Sequence, residues 1–450
     1  MWARVNHSET MSLNRRNFIA GSAALASGPA LGAVSASGEV DVAIIGAGAA
    51  GIAAARKVAA AGRRYALLEA SDRIGGRCLT ETSTFGVPYD RGAHWLHVPE
   101  INPLARLAPR GFEVYPAPPG QKLRIGKRNA REGEMEVYLS TIVRANRAIQ
   151  DAARGKADVS CMHALPKDLG DWRPAVEFFL GPFGCGKNLD EVSAVDFARS
   201  VERDVDSYCR QGLGALVAKL GSDLTVQLRA PVTRMVSTRN FVEMDAGRGF
   251  IKARAAIVTV SNGVLAADKI KFTPELPPRH RDAIAKLTLG SYDHVALELK
   301  GNPLQLRNDD LVFEKASGAK TAALLANVSG TPLAMVELAG KFGAELSKAG
   351  EAAMTDFAIG WLADLFGADV KKAIGKTHAT RWSSEPWALG AFSAAAVNGQ
   401  GGRKVLMEPV RERLFFAGEA IHETLWGTVG GAWESGERAA DAALRLWGRR

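Results

Sequence analysis

The chain has 450 residues, 47% of them hydrophobic, enough for a large core spread over two or three domains. Its formal charge is +9, yet lysine and arginine nowhere cluster with interleaved aromatics, which argues against a nucleic-acid binder. The four cysteines, Cys78, Cys161, Cys185 and Cys209, form no C-x-x-C pair, so zinc is disfavoured.

In chain order, residues 1–36 read as an export signal. Arg15-Arg16 precede Asn17-Phe18-Ile19, a mildly apolar alanine-rich stretch follows, and a cleavage point lies after Val34-Ser35-Ala36. The signal is also complete when started from Met11. The apolar stretch is too short to hold a bilayer span. A periplasmic or secreted location is expected, with the twin-arginine (Tat) translocon as a partner during export.

Val40, Val42, Ile44 and Ile45 predict a buried parallel strand. Gly46, Gly48 and Gly51 follow as G-x-G-x-x-G, then an alanine-rich helix that stops near Gly62. The first glycine permits a tight turn, the second lets a pyrophosphate approach the backbone, and the third lets helix and strand pack closely. A second strand, Tyr65 to Leu68, ends in Glu69, 18 positions beyond Gly51, about where a carboxylate meets ribose hydroxyls. This context predicts a bound dinucleotide. Gly75-Gly76-Arg77 come next, a glycine pair and a cation suited to a second pyrophosphate contact. Near the C-terminus, residues 414–417 predict another apolar strand, then Gly418-Glu419, then a helix starting near Gly430.

Together these two ends, "VDVAIIGAGAAGIAAARKVAAAG" with "EASDRIGGRC", and "RLFFAGEAIHETLWGTVGGAWESGERAADAAL", resemble the flavin-containing amine oxidase superfamily, which includes monoamine, polyamine and L-amino-acid oxidases. "GLGALVAKLGSDLTVQLRAPVTRM" and "AAIVTVSNGVLAADKIKFTPELPPRHRDAIAKLTLGSY" agree with it. The resemblance runs from about Val40 to the C-terminus. It implies FAD as cofactor, contacted by Gly46, Gly48, Ala49, Ala50, Gly51, Glu69, Ala70, Gly76, Arg77, Gly92, Ala93, His94, Trp95, Val232, Gly418, Glu419, Thr428 and Val429. The expected fold is α/β: a discontinuous Rossmann-like FAD-binding domain (37–98, 206–275 and 386–450) plus an α+β substrate domain (99–205 and 276–385) whose sheet is flanked by helices.

For the chemistry, the resemblance, nearest to the monoamine and polyamine branch, implies oxidation of a primary or secondary amine or a polyamine to an imine, then hydrolysis to an aldehyde plus amine or ammonia. The flavin would be reoxidised by O2 or a periplasmic electron carrier. The stretch "YDRGAHWLHVPEINPL" resembles the G-A-x-W of polyamine oxidases, which makes His97 a candidate polar group near the substrate. Amino-acid oxidases carry an arginine where Trp95 stands, so an α-amino-acid substrate is disfavoured. In "SSEPWALGAFSA", Ala391 occupies the place of the cysteine that tethers FAD in monoamine oxidases, so FAD is expected to be non-covalent. Phe392 matches one aromatic wall of the amine cage. The opposing wall falls at Thr428, leaving Trp426 as the candidate to compensate. A lysine that most relatives carry four positions after a glycine is replaced by His294 after Gly290. Alternation puts His294 with Tyr292, opposite Val295, Leu297 and Leu299. A histidine titrating near neutrality would make oxygen reduction slower and pH-dependent. The catalytic candidates are thus His294, His97, Phe392, Trp426 and Thr428.

The acidic stretch "LDEVSAVDFARSVERDVD" could hold distal ammonium groups of a polyamine, but a solvated helix face explains it more simply. Alternatives are an L-amino-acid oxidase, a desaturase-type flavin oxidase wanting a longer apolar tunnel, and a degenerate flavoprotein that only binds a partner. A homodimer is left open, and no nucleic-acid partner is expected.

Overall fold

The computed structural model describes residues 38–201, 205–247 and 249–448. The stretch read as an export signal, and Glu202, Arg203 and Asp204 of the acidic stretch, lie outside the described residues.

The strand expected from Val40 runs Gly38–Ile45 at the centre of an eight-stranded sheet. Tyr65–Leu68 and Phe250–Val258 pair with it in parallel on its two sides, and Leu414–Phe416 pairs in parallel with Phe250–Val258. Ala43 and Ile45 enter one core while Val42 and Ile44 enter another, so the strand is buried on both faces and reads as an unbroken apolar run. An antiparallel pair, Arg234–Ser237 with Val242–Asp245, extends the sheet.

Helix Ala49–Ala60 packs against the long C-terminal helix Val429–Leu444. Small residues make that approach possible: a methyl group added at Gly436 would lie 2.0 Å from the Ala50 carbonyl oxygen. At the glycine turn, a Cβ on Gly51 would lie 1.8 Å from the Gly46 carbonyl oxygen, so only glycine fits where helix and strand meet.

A second, seven-stranded sheet runs in the order Ile374–Ala379, Tyr292–Leu299, Leu333–Ala339, Ala323–Ala326, Asp310–Glu314, Lys122–Ile125 and Arg128–Asn129. Val295, Leu297, Leu299, Val336 and Leu338 pack on Met354, Ala358, Trp361 and Leu362 of helix Glu351–Phe366. The opposite face, with Tyr292, His294, Met335 and Glu337, is turned to a cavity. Alternation along two neighbouring strands therefore divides core from site.

All strands of the first sheet fall within 37–98, 206–275 and 386–450, and all strands of the second within 99–205 and 276–385. A small sheet of Leu96–His97, Asp206–Cys209 and Val114–Pro116 joins these segments. The 99–205 segment contains helices Glu132–Ala152, Arg173–Phe178 and Ala194–Arg199, with a π-turn at Phe179–Phe183. The architecture is α/β, a Rossmann-like sheet built from discontinuous segments beside an α+β part. All four cysteines are buried, and none forms a disulfide among the described residues.

Candidate functional site

One cavity of about 930 Å³ extends from Glu69 and Val232 to Phe392 and Glu337. Of the site residues read from the sequence, all except Gly51 line it. Gly51 lies beneath the turn, against Gly46.

The Glu69 end suits a dinucleotide. Helix Ala49–Ala60 starts at Gly48 with no side-chain cap, so its first N–H groups are available to an anion. A Cβ on Gly48 would meet nothing nearer than 3.8 Å, which leaves the backbone open to close approach. Glu69 is buried; Oε2 accepts from the Ala47 N–H (2.8 Å) and Oε1 from the N–H and hydroxyl of Ser71 (both 2.8 Å). A carboxylate with about four acceptor positions still has room for a ribose hydroxyl. Glu69→Ala should weaken FAD retention by about 1.5–3 kcal/mol, roughly ten- to a hundredfold in Kd. Titration of the stripped protein with FAD checks this, and an unchanged affinity would refute the contact.

Arg77, read as a pyrophosphate contact, forms an ion pair with Glu419 (3.0 Å) and also donates to the Ala391 carbonyl. Glu419 accepts in addition from Ser393 and from the Gly427 N–H. Burial alone would push the Glu419 carboxyl up, but Arg77, Ser393 and Arg403 outweigh it and hold the group below its usual range. Thr428 caps helix Val429–Leu444: its hydroxyl accepts from the Gly431 N–H (2.9 Å) and donates to the Leu425 carbonyl (2.7 Å). That hydroxyl is therefore committed to the helix start and does not act as an opposing cage wall.

The other end is an aromatic chamber. Tyr292 stands 5.7 Å from Phe392, 6.2 Å from Phe183 and 6.4 Å from Trp95, measured between ring centres. Trp426 also lines the cavity, with the Arg403 guanidinium 4.9 Å from its ring. Tyr292 and Phe183 thus stand as aromatic walls beside Phe392, although motif matching assigned neither that place. His97 borders the cavity and hydrogen-bonds Asp206 through Nδ1 (2.7 Å). His94 bonds Asp90 through Nδ1 (2.9 Å), and its buried Nε2 has no partner among the described residues.

His294 requires a correction. Burial first, then the charges of His94, His378 and Arg91, push its pKa down to about 3. The ring is neutral across the working range and does not titrate near pH 7. Its Nε2 lies 3.0 Å from the Tyr89 hydroxyl, which also lies 3.1 Å from His378 Nδ1. Its Nδ1 lies 3.8 Å from Glu337 Oε2, in register across the two strands. Glu337 was not singled out from the sequence. It is fully buried, and neither carboxyl oxygen accepts a hydrogen bond from any described residue. The signal was one acid inside the apolar run "LAMVELAG", a residue that a buried strand does not hold without cause.

The described acids of the acidic stretch form no ammonium-binding cluster. Asp190 and Glu191 pair with Lys341, Asp196 with buried Arg403, and Asp206 with His97; none of the four lines the cavity.

A family model described as flavin containing amine oxidoreductase matches residues 49–444. Polyamine oxidase 5 of Oryza sativa subsp. japonica is 27% identical over 439 residues, spanning 90% of this chain and 87% of its own. Among solved structures, wild-type putrescine oxidase bound to putrescine matches with a TM-score of 0.77 at 19% identity, covering 91% of this chain and 100% of that one. Cyclohexylamine oxidase from Brevibacterium oxydans matches with a TM-score of 0.76 at 20% identity, covering 91% and 100%. At these identities the structural likeness speaks to the fold.

Proposed function

This chain belongs to the flavin-containing amine oxidoreductase family, and from that premise we propose that it oxidises an amine with a largely apolar body, holding FAD without a covalent bond, after export to the periplasm. The observation that carries the substrate reading is the lining of the chamber. Trp95, Phe183, Tyr292, Phe392 and Trp426 wall it. Glu337 is the acid at that end, and the cavity's arginines and lysine (Arg73, Arg77, Arg229 and Lys269) belong to the nucleotide turn or the flanks of Val232 and Trp387.

FAD, when bound, supplies the acceptor for a hydride equivalent leaving the carbon beside the amine nitrogen. The protein has to orient the amine, exclude water and keep the nitrogen unprotonated. The aromatic walls do the first two. Edge-on and tilted rings fix an apolar body between them, with Glu337 beside His294 as a polar patch on one wall. A substrate carboxylate would find no cation in the chamber, and burying it unpaired costs several kcal/mol. A polyamine would need a second acid for its distal ammonium, and none of the described acids near the chamber supplies it.

The non-covalent reading rests on Ala391, which borders the cavity and has nothing to bond with. Cys78 also borders it, but burial pushes its thiol up to about 12, so it stays an unreactive thiol. Export rests on Arg15-Arg16 and the residues after them.

Anaerobic mixing with a panel of amines, read as bleaching of the flavin absorbance, tests the substrate class. Cyclohexylamine or phenylethylamine should bleach it faster than spermine, and L-leucine and L-phenylalanine should not bleach it within many turnovers of the best amine. Preferential bleaching by the amino acids would overturn the reading.

A further inference from the structure

We propose that Glu337 is the acid–base group for the substrate nitrogen, and that His294, Tyr89 and His378 form the path along which its proton exchanges with solvent. The proposal rests on the amine-oxidising reading and names the residues that would manage the amine's proton.

The geometry is a chain of polar atoms through apolar surroundings. Glu337 borders the cavity and is fully buried, with both carboxyl oxygens lacking partners among the described residues. A buried polar group left unbonded is costly, so its retention calls for a partner that arrives from the cavity. An amine is a donor of the right kind. From Glu337, His294 Nδ1 is 3.8 Å away, then His294 Nε2 to the Tyr89 hydroxyl is 3.0 Å, and Tyr89 to His378 Nδ1 is 3.1 Å. Only the first step exceeds hydrogen-bond length, so the carboxyl has to move toward His294 during transfer. Tyr89 is wholly buried and His378 is partly exposed, so the chain leads from the chamber outward.

The proton balance follows. The amine arrives as an ammonium ion, and its charge favours ionisation of Glu337. The carboxyl O–H bond breaks and its proton passes to His294 Nδ1. His294 gives its Nε2 proton to the Tyr89 oxygen, Tyr89 gives its own to His378 Nδ1, and His378 sheds one to water. The Glu337 carboxylate then takes a proton from the ammonium: one N–H bond breaks, one O–H bond forms, and the neutral amine remains. No electrons move in this sequence.

The electrostatics suit the task. Burial first, then the neighbouring Asp293 charge, push Glu337 up to about 8, close to an operating pH. Asp293, on the adjacent strand, is itself pushed up to about 6 by burial while it accepts from Thr380 and the Trp382 N–H. The other groups around Glu337 stay neutral in that range: Tyr292 and Tyr89 are raised by burial, and His294 is lowered. Asp90, Arg91 and His94 act on His294 from the segment carrying Tyr89, and His378 from the neighbouring strand.

The test needs no turnover. tert-Butylamine has no hydrogen on the carbon beside nitrogen and cannot be oxidised. It is mixed with the FAD-loaded enzyme in weak buffer containing a pH indicator, with binding followed by the shift in flavin absorbance. Wild type should release about one proton per site at pH 7, and progressively fewer above pH 8, where Glu337 is already ionised. Glu337→Gln should bind without releasing a proton. Tyr89→Phe should keep the amount released but slow the release roughly a hundredfold. No release from the wild type, or equal release from Glu337→Gln, overturns the acid–base role; unslowed release from Tyr89→Phe overturns the path. If no oxidisable amine bleaches the flavin, the amine reading itself fails. If amines bleach wild type and Glu337→Gln alike, only this inference does.

Discussion

Replacing Asp196 with alanine is expected to destabilise the fold by about 3–5 kcal/mol, because it strands a buried guanidinium. Asp196 grips Arg403 with both oxygens, 2.8 Å to Nε and 2.7 Å to Nη2, and each side chain is 1% exposed. Arg403 Nη1 continues to the Ser393 hydroxyl (3.1 Å) and the Ala420 carbonyl (2.8 Å), and its plane lies against Trp426. Ser393 in turn donates to Glu419, the partner of Arg77. The pair thus braces a wall of the chamber and the flavin-side carboxylate together. Urea unfolding of the FAD-loaded protein, followed by circular dichroism, measures the loss. The double variant Asp196→Ala with Arg403→Met removes both charges and should recover most of it. A single variant no weaker than a surface substitution would show that the pair is not structural.

The nucleotide end was legible because its requirements are local. A turn that must admit a pyrophosphate fixes glycine at three nearby positions, and the strand, helix and acid beside it complete the pattern within thirty residues. The chamber is assembled otherwise. Phe183 comes from a π-turn, Tyr292 and His294 from one strand, Glu337 from its neighbour, and Trp426 from a loop before the last helix. Alternation correctly placed His294 and Tyr292 on one face. It could not show that the strand beside it brings an acid opposite, since that register depends on how two distant segments pair. The pKa of His294 was misjudged for a related reason: the ordinary value describes a solvated ring, and only the packed structure shows this one stripped of water. The acidic stretch allowed a cluster in one dimension, although a solvated helix face was the simpler reading; its described acids diverge to Lys341, Arg403 and His97.

His294→Lys should speed reoxidation of the reduced enzyme by oxygen by roughly tenfold or more. Oxygen reduction builds negative charge in a low-dielectric chamber, where a fixed positive group can be worth several kcal/mol to the transition state. Native His294 cannot supply that charge: with a pKa near 3 it is uncharged wherever the enzyme works. A lysine there would face Glu337 across the strand pair, which keeps the ammonium ionised despite burial. The native rate should therefore be slow, with no histidine titration near neutrality. It should fall as pH rises through about 8, where the Glu337 proton is lost and the new carboxylate repels the developing anion. In the lysine variant the ammonium favours the Glu337 carboxylate already at lower pH, so the fall near pH 8 should be lost. Dithionite-reduced enzyme mixed with oxygenated buffer in a stopped-flow cell, without amine, isolates this half of the cycle. Slow native reoxidation would leave an artificial dye as the better acceptor, and turnover with a dye in place of oxygen should rise accordingly. Rapid native reoxidation at neutral pH, left unchanged by the lysine, would mean that charge at this position does not govern the oxygen reaction.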